Sequence, residues 1–217
     1  MSAGVAHEIN NPLSNISSSC EILLEELDSA DKELQSKVLK RVLEQVDKAR
    51  VIVLNLLEFS RNRAFKRESL NLKEIIDKTL SLYKAQKPPC VEIVTYIEED
   101  LTIYADRQRI EQAFMNLISN ACQACQGEGR VTIRSTVSTD GMVKVRIKDT
   151  GTGIAQEDLA MIFDPFFTTK DVGKGTGLGL FITHDIVVRH QGTIQVTSTP
   201  GKGTTFCVSI PAQEFTQ

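Results

Sequence analysis

Two runs of apolar residues, each repeating at alternating intervals of three and four, occupy the first sixty positions of this 217-residue chain. One is Ala6, Ile9, Leu13, Ile16, Cys20, Leu23 and Leu27; the other is Leu39, Val42, Val46, Ala49, Val53 and Leu56. Such alternation is the seam of helices that pack lengthwise on one another. Only Asp28-Ser29-Ala30-Asp31 stands between the runs, so the two helices must turn back on each other as an antiparallel hairpin. Two helices cannot cover both seams together with the flanking Val38, Ile52 and Leu57. A symmetric homodimer that closes a four-helix bundle covers them most economically; the alternative is that the hairpin packs against the rest of its own chain.

Charge then interrupts the pattern at Arg61-Asn62-Arg63-Ala64-Phe65-Lys66-Arg67-Glu68, which reads as a linker or a frayed helix end. Beyond it the period changes. Leu72, Ile75, Ile76, Leu80 and Leu82 suggest a helix, Val91–Ile97 and Leu101–Tyr104 short strands, and Ile110, Ala113, Phe114, Leu117, Ile118 and Ala121 a longer helix. Four strand-like segments near 130–137, 142–149, 192–198 and 204–210 follow, with a helical pattern over 178–190. Helices interspersed with a mostly hairpin-connected sheet imply an α/β two-layer sandwich. With no Trp, three Tyr and nine Phe, its core falls to Leu, Ile, Val and Ala.

A net charge of −3 gives no reason to expect nucleic acid or an acidic membrane as partner. No run approaches the roughly 18 apolar residues of a membrane span, and MSAGVAHEINN has no signal-peptide pattern. The five cysteines are therefore expected reduced, in the cytoplasm. The first motif begins at His7, with no room for a helix start before it. The chain reads as the back end of something longer, and any membrane anchor would belong to that missing upstream region.

Four groups of residues carry chemical promise. Extending the heptad register puts His7, Glu8 and Asn11 off the buried seam, with His7 and Asn11 one turn apart. Glu8 can accept one imidazole N–H and leave the other nitrogen as a lone pair able to attack phosphorus. Pro12 removes a bond to the Glu8 carbonyl and is expected to bend the helix there. In Val143-Lys144-Val145-Arg146-Ile147-Lys148-Asp149, alternation turns Asp149 to the core side, where it needs donors such as those of an amino-purine. Gly151 and Gly153 then bare the backbone for a flat ligand. Asn116 and Asn120, flanked by Gln112 and Gln123, form a polar stripe suited to Mg²⁺ arriving with phosphates. Glycines 173, 175, 177 and 179 precede a helix start, an anion site, and Lys170, after the aromatics of FDPFFTTK, can reach a terminal phosphate. Cys122 and Cys125 are read as small packing residues, and His184 and His190 are given no chemistry.

In this order the motifs resemble the core of the sensor histidine kinases of two-component signalling: HEINNPL the H box, NLISNA the N box, DTGTGI and GTGLGL the two glycine boxes, and FDPFFTTK the F box. The spellings are most similar to the nitrogen-regulatory and C4-dicarboxylate sensor group. The resemblance implies a dimerisation and histidine-phosphotransfer domain over 1–66 and a Bergerat-type (GHKL) ATP-binding domain over 69–217. It implies His7 as phosphoacceptor, Glu8 as base, Asn11 as the amide orienting water for a phosphatase reaction, Asn120 as Mg²⁺ ligand and Asp149 as the adenine-reading carboxylate. The implied nucleotide set is Asn116, Asn120, Asp149, Gly151, Gly153, Lys170, Gly175, Thr176, Gly177, Leu178, Gly179 and Thr205. The expected activity is autophosphorylation from ATP and transfer to an aspartate of a response-regulator receiver domain, with 61–68 as hinge. Rival expectations are a GHKL ATPase that transfers no phosphoryl group and a non-catalytic scaffold.

Overall fold

The computed structural model describes residues 2–25, 32–60, 65–84, 88, 90–170 and 175–213. The chain divides into two compact units, one of Met1–Arg63 with Pro165–Leu178 and the other of Ala64–Asp164 with Gly179–Gln217.

In the first unit the seams become helices α1 (Ser2–Glu25) and α2 (Lys32–Ser60); the expected turn at 28–31 lies outside the described residues. The helix assignment runs through Pro12 without a break. The contact between α1 and α2 is narrower than the seams. Pro12 and Ser19 are buried on α1 and Val38 on α2, with Ile16, Leu23, Val42 and Ala49 half-buried beside them. Leu13 and Cys20, expected within the seam, are exposed, as are Leu39, Val46 and Val53. One antiparallel contact covers one strip of each helix, and the apolar side chains described off that strip stay in solvent.

The second unit holds a five-stranded sheet in the order β2-β4-β5-β7-β6, from β2 (Val91–Tyr96), β4 (Gly129–Val137), β5 (Met142–Asp149), β6 (Thr193–Thr199) and β7 (Gly203–Pro211). β2 runs parallel to β4; the other pairs are antiparallel. Three helices complete the sandwich: α3 (Leu72–Tyr83), α4 (Arg107–Ala124) and α5 (Gly179–Arg189). The two-layer expectation holds. One element was not foreseen: β1 (Glu68–Asn71) pairs antiparallel with β3 (Thr102–Ala105) in a small separate sheet. Glu68, read as linker, is thus already in a strand. Three polar residues in the ESLN strand leave only Leu70 as an apolar signal, too little for a period.

Side-chain oxygens start the two helices that matter for packing. Asn71 Oδ1 accepts the Glu74 N–H at 3.0 Å and caps α3; Asp106 Oδ1 accepts the Arg109 N–H at 3.2 Å and caps α4. The inner face of α4, with Ile110, Phe114, Leu117, Ile118 and Cys122 fully buried, forms the centre of the core. Each large apolar side chain there contributes about 1.5–3 kcal/mol by leaving water. Among the described residues no helix is long and apolar enough to cross a membrane.

Candidate nucleotide and phosphoacceptor sites

β5 buries Val143, Val145 and Ile147, and the same parity carries Asp149 inward, where it is 2% exposed. A carboxylate so placed must find donors. Two backbone N–H groups donate to one oxygen, Oδ1: Gly151 at 2.8 Å and Thr204 at 3.1 Å. Neither uses Oδ2, which an incoming N–H would meet. Burial pushes the carboxyl above its ordinary 3.8, while the N–H groups of Gly151 and Thr204 pull it back.

The neighbouring glycines also meet a demand of the protein's own packing. A Cβ on Gly151 would come within 2.5 Å of the Ala124 carbonyl at the end of α4, and one on Gly153 (φ +71°) within 2.2 Å of the Thr199 carbonyl oxygen. The bared space is filled by protein backbone, which lets the end of α4 and the β6–β7 turn close around the Asp149 loop. The Thr152 N–H accordingly donates to Ala124 O at 3.1 Å.

Thr205 does not reach the carboxylate. It pairs with Lys148 and Thr197 on the open face of the sheet; the β7 residue at Asp149 is Thr204, which is buried. A one-residue step along a strand changes the face. Thr204 Oγ1 lies 2.9 Å from Ser198 Oγ, which also accepts the Ile154 N–H at 2.8 Å. The inward parity of Phe206, Val208 and Ile210 was the sequence signal that could have selected Thr204.

On α4, Asn116 and Asn120 are half-buried on successive turns. Asn116 donates Nδ2 to the Gly179 carbonyl at 3.1 Å, tying α4 to the first residue of α5. That leaves its Oδ1 as a hard oxygen. Asn120 lies one turn nearer the Asp149 loop. A Cβ on Gly179 would meet only the Asn116 amide, at an ordinary contact distance of 3.8 Å. Cys122 and Cys125 are buried in the core, as packing residues should be.

Phe166 and Gly177, on either side of the glycine-rich loop, meet backbone to backbone. The Phe166 N–H donates to the Gly177 carbonyl at 3.0 Å. Gly177 sits at φ +63°, and a Cβ there would be 2.2 Å from the Phe166 carbonyl carbon, so only glycine closes this turn. The Lys170 N–H donates to Thr168 Oγ1 at 3.2 Å and the Leu178 N–H to Thr176 Oγ1 at 3.4 Å. A Cβ on Gly175 would meet Thr168 Oγ1 at 2.7 Å. Lys170 is exposed and Leu178 buried; Gly173 lies outside the described residues.

His7 and Glu8 belong to the helical backbone of α1, and their side chains lie outside the described residues. Asn11, one turn on, is exposed, in keeping with its place off the seam.

Comparison with known proteins joins these features. Residues 105–214 match the family described as histidine kinase-, DNA gyrase B- and HSP90-like ATPase, and residues 1–65 match the His kinase A (phospho-acceptor) domain. The signal transduction histidine-protein kinase AtoS of Escherichia coli (strain K12) is 36% identical over 211 residues, covering 96% of this chain and 34% of AtoS. The sensor histidine kinase ZraS of Klebsiella oxytoca is 38% identical over 213 residues, covering 97% of this chain and 45% of ZraS. The chain thus spans less than half the length of these relatives. Among solved structures, histidine kinase ThkA in complex with response regulator protein TrrA is 30% identical with a TM-score of 0.80, over 98% of this chain and 61% of that one. The catalytic domain of ThkA is 33% identical with a TM-score of 0.61, over 68% of this chain and 96% of that one.

Proposed function

The chain belongs to the sensor histidine kinases, and from that premise we propose that it binds ATP in the second unit, transfers the γ-phosphoryl group to His7 of the first, and passes it to an aspartate of a response-regulator receiver domain. The observation that carries this reading is the division of chemistry: a buried carboxylate whose backbone donors both fall on Oδ1 lies on the sheet unit, while HEINNPL lies on α1.

Asp149 reads the adenine amino group through Oδ2, with the loop after it held by Ala124 and Thr199. Asn120, with Asn116 Oδ1 beside it, would hold Mg²⁺; amide oxygens suit this ion only together with phosphate oxygens. When bound, the ion neutralises charge on the transferring phosphates. The glycine turn before α5 offers N–H groups to them, and Lys170 reaches the terminal one. A ring nitrogen of His7 attacks the γ-phosphorus, the bond to the β-phosphate oxygen breaks, ADP leaves, and Glu8 takes the proton from the other ring nitrogen. Positioning supplies most of the acceleration. Asn11 orients water when the phosphorylated regulator is hydrolysed. The exposed apolar faces of α1 and α2 are covered by a second copy in a four-helix bundle, and the receiver domain docks on that bundle. The likeness to ThkA, solved with its regulator, supports this partner.

Incubation with γ-labelled ATP and Mg²⁺ tests the proposal. The expected result is acid-labile, base-stable label that is absent from His7→Ala. Label surviving in that variant refutes the assignment, phosphate release without label identifies an ATPase, and neither identifies a scaffold.

A further inference from the structure

The imidazole of His190, which the proposed reaction does not use, is fully buried at the end of α5. Nδ1 is 2.7 Å from the Ile186 carbonyl oxygen, an acceptor only, so Nδ1 carries the proton. Nε2 therefore offers a lone pair, and it accepts the backbone N–H of Asp106 at 2.8 Å. Asp106 is the N-cap of α4, and its other carboxylate oxygen, Oδ2, accepts the backbone N–H of Lys66 at 3.1 Å. Phe65 stands with its ring edge-on to the imidazole, centroids 4.6 Å apart, with the guanidinium groups of Arg67 and Arg109 at 5.3 and 5.7 Å from its centroid. Arg67 also donates to Gln191 Oε1 at 2.8 Å.

One neutral ring therefore joins three things: the start of the asparagine-bearing helix, the end of the helix that the glycine turn begins, and the point where the chain leaves the linker. Residues 65–67, assigned to the hinge by composition, are docked on the sheet unit. We propose that His190 is a positioning residue: through the Asp106 cap it fixes where the linker leaves the ATP-binding unit, and phosphoryl transfer to His7 depends on that joint while nucleotide binding does not. The inference rests on the kinase reading for its second half only.

The joint requires the neutral ring. A proton on Nε2 would set donor against the Asp106 N–H, and burial holds the ring below its ordinary 6.5, with Asp106 raising it and Arg67 and Arg109 lowering it. Other charges nearby are already paired: Arg189 with Asp185 at 2.8 Å, and Arg107 with Glu68 at 3.7 Å.

The test uses the full chain with His190→Leu, which removes the acceptor, and His190→Gln, whose Oε1 can replace Nε2 without titrating. Three quantities are read: amide-exchange protection of Lys66 and Asp106, affinity for a non-hydrolysable ATP analogue, and the rate of label uptake. In His190→Leu, protection of those two amides falls at least about tenfold and uptake falls about as far or further, since a small misplacement can cost roughly 10²-fold; analogue affinity stays within about twofold. His190→Gln restores all three. On acidification from about pH 8 through the ordinary 6.5 and on through the lower folded value, protection at the two amides falls in the wild type and stays flat in His190→Gln, and this arm carries the test if the leucine variant does not fold. Unchanged protection overturns the joint. Lost protection with unchanged uptake, or affinity falling in step with uptake, overturns the positioning role. A wild type that never takes up label refutes the kinase reading and the positioning role with it, while exchange still decides the joint.

Discussion

Phe114 on α4 and Leu43 on α2 are both large apolar side chains on amphipathic helices, yet the first is 0% exposed and the second 64%. The sheet unit closes its core within one chain, with three helices against five strands. Among the described residues the hairpin has no such layer, and Leu24 at 67%, Leu39 at 53% and Val46 at 45% stay in water beside Leu43. An exposed apolar strip along a helix marks an interaction surface. The contrast teaches that one region closes its core within the chain while the other leaves an apolar strip that the proposed second copy would cover, so damage to the first should show in stability and damage to the second in association.

Phe114→Ala gives the largest effect. It removes a fully buried ring and should destabilise the sheet unit by about 3–5 kcal/mol, read as a lower denaturant midpoint for the unit's sheet signal. A loss under about 1 kcal/mol would mean the core is not where α4 places it. Leu43→Lys is the counterpart in the hairpin: dimer affinity falls by roughly 1–3 kcal/mol of association energy, seen by sedimentation, while the sheet unit's melting is unchanged. A dimer that ignores this charge breaks the comparison.

Much of this contrast was legible in the sequence. The 3-4 repeats gave the hairpin because helix period survives whatever covers it, and alternation along β5 placed Asp149 because parity is local. What was not legible depends on register between distant segments. The parity of β7 gives Thr204 its inward face, but that it stands at Asp149 follows from the pairing between β5 and β7, which neither strand encodes alone. The glycines of DTGTGI also accommodate Ala124 and Thr199, which a sequence cannot name, since it does not say what will stand opposite a missing Cβ. β1 escaped because it is stabilised by β3, not by its own pattern. His190 looked inert because its partners Asp106 and Phe65 lie far away in the chain.

Gly177→Ala sharpens the account of the glycine turn before α5. A side chain at φ +63° against the Phe166 carbonyl should cost about 1–2 kcal/mol locally, and weaken ATP binding several-fold in a fluorescent-nucleotide titration, with dimerisation unchanged. The smallest effects are pH-dependent. His190 holds its proton less tightly folded than unfolded, so its contribution to the sheet unit is fully present above about 6.5 and is lost as pH falls through the lower folded value. Thermal melts of the wild type should therefore decline below that pH more steeply than those of His190→Gln. Asp149 has the opposite sign: its folded carboxyl is raised, so its ionisation costs stability as pH rises above 3.8. At neutral pH Asp149→Asn should melt at the same temperature as the wild type or higher, its Oδ1 still accepting from Gly151 and Thr204.

The division of labour is tested most directly by measuring nucleotide binding and phosphoryl uptake side by side in His7→Ala and Asp149→Asn. The account predicts that His7→Ala binds ATP as the wild type does and takes up no label, and that Asp149→Asn, folded and dimeric, loses roughly 10²-fold in affinity and for that reason takes up none. Label on His7→Ala, or wild-type nucleotide affinity in Asp149→Asn, would contradict it.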